Sequence, residues 1–321
     1  MSNPVIAEVT RGGIVESRHS GSYAVVDHTG RLVASGGDAA QVTFPRSAIK
    51  AFQCLPVLES GAADRFGLTG EEIALCCSSH DGEAEHVRVA RSLLAKAGNS
   101  EADYECGAHW PVDLESHAAA ARAAPEPLAV HNNCSGKHAG MLALCRQLGA
   151  APAGYVRPDH PVQREIARAM GEICDCDLSR QPVGVDGCSV PTWAMPLKAM
   201  ALGFARLSER AAGKRIIEAV RANPFMVAGT NGYDTNLMRA VPRIFAKGGA
   251  EGVHCGAIPH AGIGIAVKCD DGAGRAGEVI FAKVAASLDV WTTEEKAALA
   301  KFARRDLRNW RGLTVGEVRS A

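Results

Sequence analysis

Phe44-Pro45-Arg46-Ser47-Ala48-Ile49-Lys50-Ala51-Phe52-Gln53-Cys54-Leu55-Pro56-Val57-Leu58 is the stretch on which the reading turns. Pro45 suits the lead-in to a helix, and Ser47 its cap or first turn. Ile49, Phe52, Leu55 and Leu58 step by three, which gives one apolar stripe. Ser47 and Lys50, three apart, then share a face one turn from each other. A helix start also places the positive end of its dipole beside the pair. A nearby amine is one recognised base for turning a serine into a nucleophile. Taken alone, Ser-x-x-Lys is better read as a capping serine followed by a solvated lysine, because short motifs match by chance. The rest of the chain decides between the two.

The 321 residues are 47 % hydrophobic, enough for a large core. The formal net charge is zero and no Lys/Arg block stands out. That argues against nucleic acid or an acidic membrane as a partner. Met1-Ser2-Asn3-Pro4 carries no basic, apolar signal segment, and the longest apolar runs fall far short of a membrane span. A soluble, cytoplasmic protein is therefore expected. The eleven cysteines are then better read as thiols or metal ligands than as a disulfide framework.

In chain order, residues 5–9 form a strand candidate. Residues 22–27 and 31–36 flank His28-Thr29-Gly30 as a hairpin. Residues 83–97, 141–148 and 162–173 read as helices, the second stopped by Gly149, with further helices at about 196–206 and 212–222. The last third changes character. Residues 244–247, 256–258, 262–268 and 279–284 are short apolar runs separated by Gly, Pro and Asp, and read as strands of an antiparallel meander. A helix over 293–303 closes the chain. The expectation is an α+β fold in a single catalytic domain, residues 1–321. Its antiparallel sheet is built from both chain ends, about 1–45 plus 240–321, and flanked by helices; residues of about 46–239 form a helical lobe.

Ala246-Lys247-Gly248-Gly249-Ala250 then supplies a second element of a known pattern. A Lys-x-Gly strand is the partner of Ser-x-x-Lys in serine β-lactamases, penicillin-binding proteins and serine-type glutaminases. Four blocks narrow the likeness: Arg46-Ser47-Ala48-Ile49-Lys50, Cys77-Ser78-Ser79-His80, His131-Asn132-Asn133-Cys134-Ser135-Gly136-Lys137-His138 and Asp186-Gly187-Cys188-Ser189-Val190-Pro191. Together, and over nearly the whole chain, they resemble the Rhizobium etli-type L-asparaginases. Two departures stand out: Ala51 where that family leads one to expect proline, and a Thr230–Thr235 segment without cysteine. The resemblance implies a β-lactamase-like fold and hydrolysis of the side-chain amide of L-asparagine to L-aspartate and ammonia. It further implies an acyl-enzyme on serine, a homodimer, and a zinc ion near the active site.

Amide hydrolysis needs a nucleophile, a base, an oxyanion hole and an acid for the departing ammonia. Ser47 is the candidate nucleophile and Lys50 the candidate base. A free lysine, with a pKa of about 10.4, must first lose its proton. Burial and a second cation, Lys247, favour that loss, so that the two amines share one proton. Ser79 is a candidate relay to the leaving nitrogen, or simply a loop serine bonded to backbone. The oxyanion hole is expected from the N–H of Ser47 and, by resemblance, of Ala250. Cys134, Lys137 and Cys188 are the metal candidates, and two thiolates select zinc over magnesium or calcium. Cys54, Cys76, Cys77, Cys106, Cys145, Cys174, Cys176, Cys255 and Cys269 read as core or surface thiols. Asp186 is a candidate for the substrate ammonium, or simply a turn residue; Arg46 or His138 is a candidate for its carboxylate. A glutaminase or another Ser-x-x-Lys hydrolase of amides or esters is the alternative enzyme. A module with a purely structural zinc is the non-enzymatic one.

Overall fold

Both ends of the chain enter one antiparallel sheet in the computed structural model, which describes residues 2–321. Its eight strands are β1 Val5–Arg11, β2 Ile14–Asp27, β3 Leu32–Gly36, β4 Phe245–Gly248, β5 Val253–Ile258, β6 Ile263–Cys269, β7 Arg304–Arg308 and β8 Thr314–Ser320. They run in the order β7-β8-β1-β2-β6-β5-β4, with β3 also paired to β2. The long β2 organises the sheet. Its first half pairs with β1, from Val5↔Ser20 to Arg11↔Ile14. Its second half pairs with β6 on one side, from Ile263↔Asp27 to Cys269↔Gly21, and with β3 on the other. β8 closes on β1 in the register Ala7↔Ser320.

The chain divides into two compact units. The sheet unit comprises the residues up to Ile49, Met195–Leu207 and Leu237–Ala321. The helical unit comprises Lys50–Ala194 and Ser208–Asn236.

In the sheet unit, helices cover both faces of the central strands. Gly264 lies under the helix Leu197–Leu207: a Cβ there would fall 1.9 Å from Ala201 O. Ile265 pairs with Gly256, one residue out of phase and so on the opposite face. A Cβ on Gly256 would meet the Phe281 ring at 2.5 Å, on the helix Gly274–Ala286. Two glycines thus admit two helices from opposite sides. Burial on both faces explains why β5 and β6 read as continuous apolar runs rather than alternating ones.

One expected strand is not a strand. Residues 279–284 lie inside the helix Gly274–Ala286. Ala276, Val279, Ile280 and Val284 form its buried stripe at helical spacing. A short apolar run of this kind carries no period of its own, and the flanking residues decide it. The sequence reading also closes the chain on the helix Thr293–Phe302, whereas the structure adds the β7–β8 hairpin beyond it. Helix 293–302 itself starts as expected, with a capping box between Thr292 and Glu295.

The helical unit is built around Ser135–Leu148, in which every residue from Ser135 to Cys145 is buried. Around it lie Lys50–Glu59, Gly70–Cys76, Ala84–Lys96 and Pro161–Cys174. Gly136 and Gly140 allow close approach of Gly70–Cys76. A Cβ at Gly136 would sit 2.3 Å from Leu75 O, and one at Gly140 2.7 Å from Cys76 Sγ. This approach draws the loop after Cys76 towards the turn Asn132–Cys134. A small ribbon, Val183–Val185 with Pro191–Trp193, carries Asp186 and Cys188 in its loop. No disulfide forms among the described residues.

Candidate active site

Each unit places its own share of the expected residues. In the sheet unit, Ser47 is half-buried in the 3₁₀ turn Arg46–Ile49, closed by Ala48 N–H to Pro45 O at 3.2 Å. Arg46 before it holds φ 52°, the left-handed region that a residue with a Cβ enters at a cost of about 1–3 kcal/mol. The turn rests on the end of β4. A Cβ on Gly249 would lie 2.9 Å from Pro45 O and 3.0 Å from Ala48 N. Lys247 on β4 is 1 % exposed and donates to Gly248 O at 2.6 Å. The loop that follows is closed by Gly249 N–H to Val253 O at 2.8 Å, and Ala250 is exposed. Glu251, at φ 59°, faces the Arg46 guanidinium at 4.0 Å. Ser47, Lys247, Ala250 and Arg46 therefore belong to one corner of the sheet unit.

In the helical unit, Lys50 opens the helix Lys50–Glu59 and is 0 % exposed. Its Nζ donates to Ser79 Oγ at 2.9 Å and also to Ser78 O. The expected relay serine thus accepts directly from the expected base. Ser79 is itself held by its N–H to Val227 O at 2.9 Å.

The metal candidates meet in the same unit. Lys137 Nζ lies 3.0 Å from Cys188 Sγ, and Cys134, Lys137 and Cys188 are all buried. Cys134 caps the helix Ser135–Leu148, where the dipole favours a thiolate. A hydrogen bond from the Cys188 thiol holds Cys134 well below the usual thiol range, against its burial and with help from Lys50 and Lys137. The same bond and burial push Cys188 up. Burial pulls Lys137 down, but Cys134, Cys188 and Asp186 outweigh it and keep the ammonium. Two sulfurs and one amine, converging and shielded from water, are a donor set that fits zinc once the amine gives up its proton. Among the described residues, no three His, Cys, Asp or Glu side chains make a metal site without the lysine.

Asp186 is half-buried beside this set, its Oδ1 accepting from Gly187 N–H at 2.8 Å. His138 is buried and hydrogen-bonded at 2.6 Å to the Tyr155 hydroxyl. Burial, with Lys137 and Lys50 nearby, lowers it well below the ordinary histidine value, so the ring is neutral. The structure thus keeps His138 inside, whereas Arg46, in the sheet unit, is half-buried. Two residues of this unit had no role from sequence. His80, fully buried, bonds Ser135 Oγ at 2.9 Å; Glu83 holds the N–H and hydroxyl of Thr230, each at 2.7 Å. His80 stands inside the Cys77–His80 block, so its position was visible and its partner was not.

A family model for L-asparaginase II matches residues 7–320. The chain belongs to the L-asparaginase II family. No curated protein matches the chain. Among solved structures, Mglu in its native form aligns at 16 % identity and a TM-score of 0.47, covering 84 % of this chain and 63 % of that one. The chain thus spans less than two thirds of Mglu's length. A β-lactamase from Mycobacterium bovis aligns at 13 % identity and 0.36, covering 88 % and 95 %. Simvastatin synthase from Aspergillus terreus aligns at 12 % and 0.32, covering 88 % and 89 %. At such scores the three superpositions carry no weight on mechanism. No helix among the described residues is long and apolar enough to cross a membrane.

Proposed function

We propose that this L-asparaginase II family member hydrolyses L-asparagine to L-aspartate and ammonia through an acyl-enzyme on Ser47. The observation that carries the reading is the buried Lys50 amine donating to Ser79 Oγ, three residues after a half-buried serine in a strained turn. Ser47 Oγ attacks the side-chain amide carbon, and Lys50 takes its proton. The oxyanion is received by the N–H groups of Ser47 and Ala250. The bonds that close the turn and the strand-end loop come from neighbouring amides, those of Ala48 and Gly249. Lys247 adds positive charge, and Ser79 passes a proton to the amide nitrogen, which leaves as ammonia. Water then cleaves the serine ester by the same relay in reverse, releasing aspartate. Arg46 meets the substrate α-carboxylate and Asp186 its α-ammonium. Cys134, Lys137 and Cys188 would hold zinc, whose charge would help order the substrate. Because the nucleophile has its own base, no metal-bound water is needed for this route.

The test is ammonia release from asparagine and from glutamine, run beside a chromogenic ester. Asparagine should be the preferred substrate. Ser47→Ala should abolish turnover while costing about 1 kcal/mol of stability, the worth of a first-turn cap. Activity within about tenfold of the parent would remove Ser47 as nucleophile. Glutamine preference would leave the chemistry and change the substrate. Sedimentation of the same protein tests the homodimer that the resemblance implies.

A further inference from the structure

Ser79 sits in a loop, and a loop side chain is only as well placed as its anchors. One anchor is the bond from its own N–H to Val227 O. The other is its neighbour His80. The His80 N–H donates to Asn133 O at 3.2 Å. Its Nδ1 accepts from Gly82 N–H at 3.1 Å, which fixes the ring hydrogen on Nε2. That Nε2–H is then the donor to Ser135 Oγ at 2.9 Å. The ring is also stacked on His86 at 4.9 Å, and His86 in turn on Phe225 at 4.4 Å. His86 Nε2 bonds Phe225 O at 3.0 Å, so the stack cannot slide freely. His80 is fully buried with both ring nitrogens engaged. It reaches none of the reacting groups assigned above.

We infer that His80 is a positioning residue: its bond to Ser135 locks the Ser78–Gly82 loop onto the Asn133–Ser135 turn and so sets where Ser79 stands. The inference rests on the proposed role of Ser79. One side of the lock carries the proton relay and the other carries Cys134, the N-cap of its helix. The lock therefore ties the relay serine to the thiol pair through a neutral hydrogen bond rather than through charge. A packing role alone would need only the shape of the ring; a positioning role needs the Nε2–H and its acceptor.

Three variants separate these. His80→Asn keeps an acceptor for Gly82 N–H, as in an Asx turn, and loses the reach to Ser135. His80→Gln carries an N–H to the Nε2 position. Ser135→Ala leaves the histidine intact and removes its acceptor. His80→Asn and Ser135→Ala should each lower kcat for ammonia release about 10- to 100-fold, with KM changed less than about threefold. The double variant should be no slower than the slower single, because both remove one bond. His80→Gln should recover most of the rate lost in His80→Asn. Multiplying losses in the double variant, or His80→Gln as slow as His80→Asn, would overturn the inference. ¹⁵N NMR of the imidazole reads the bond without any turnover. The parent should show a slowly exchanging His80 Nε2–H that disappears in Ser135→Ala. If the parent hydrolyses no amide, the functional reading has failed. The lock then stands or falls on that resonance, whose absence from the parent overturns it.

Discussion

Gly249→Ala isolates how the Ser47 turn is placed. The added Cβ would lie 2.9 Å from Pro45 O, 3.0 Å from Ala48 N and 3.2 Å from Ala48 Cβ. The first two are backbone atoms of the turn itself and cannot rotate away. Ordinary contact begins at 3.4 Å, so Pro45 O must retreat by about 0.5 Å, and the turn moves with it. Displacing a reacting group by 1 Å costs about 10²-fold, so half that shift should cost about tenfold in kcat. The overpacking itself should cost about 1–3 kcal/mol, well inside the stability of a typical domain. Ammonia release at saturating asparagine, with thermal unfolding run in parallel, makes the measurement. Gly274→Ala is the control, since its Cβ would meet nothing within 4 Å at a helix start. A Gly249→Ala enzyme as fast and as stable as the parent would refute the contact between turn and strand end. A large loss of rate in Gly274→Ala would show that the assay reports something other than this contact.

Lys50→Met and Lys247→Met should each lower kcat by several orders of magnitude with the fold intact by circular dichroism, since the first removes the proposed base and the second the proposed positive charge. Cys134→Ala or Cys188→Ala should lose zinc by elemental analysis and raise KM more than it lowers kcat. Complete loss of kcat would place the metal in the chemistry instead. Burial, with Glu83 and Asp113 beside it, pushes the Asp81 carboxyl up to about 6. The folded state therefore holds that proton more tightly than the unfolded chain, whose carboxyl titrates near its ordinary value of about 3.9. Stability drains away as the pH rises from about 4 through 6. Asp81→Asn never ionises, so it should be more stable than the parent above about pH 6. The gain should be about 1 kcal/mol after allowing for partial exposure, and should vanish below about pH 4. Urea unfolding at both ends of that range checks the sign.

The elements that carry their own punctuation were readable from sequence. Gly149 ends the helix Ser135–Leu148 in the left-handed conformation, and Thr292 with Glu295 opens the last helix. The second half of β2, residues 22–27, and β6 were readable as apolar runs, while residues 14–21, the first half of β2, were not read as strand. The helix Gly274–Ala286 was misread because a six-residue apolar window fits either period. The β7–β8 hairpin was missed for the opposite reason: Arg304–Arg308 carries four charges in five residues and is largely exposed, so it has no apolar pattern to read. Among the candidate residues, Ser47 and Lys50 could be picked out by their spacing and Ser79 by its place in the Cys77–His80 block. The partnerships between blocks were not. Nothing in the order of residues tells that Lys50 reaches Ser79, that Lys137 reaches Cys188, or that His80 finds Ser135. Gly136 and Gly140, which let the helices Gly70–Cys76 and Ser135–Leu148 approach until only glycine fits, bear on the last of these pairs.

The closure of β1 by β8, residue 7 against residue 320, also fixes an order of events during synthesis. A ribosome delivers β1 to β3 and the Ser47 turn first, and the helical unit's Lys50, Ser79, Cys134 and Cys188 before residue 200. The strand end on which the turn rests comes only after Phe245, and the last partner of β1 only at Ser320. A nascent chain stopped short of Phe245 has its serine without the strand that holds it. Closing a loop of more than 200 residues is slow relative to helix formation, so the sheet trails the helical unit. The turn is then seated only after the strand Phe245–Gly248 has been made, long after its own residues. The newborn polypeptide carries its thiols and amines through the crowded exit before the Ser47 turn has its strand to rest on.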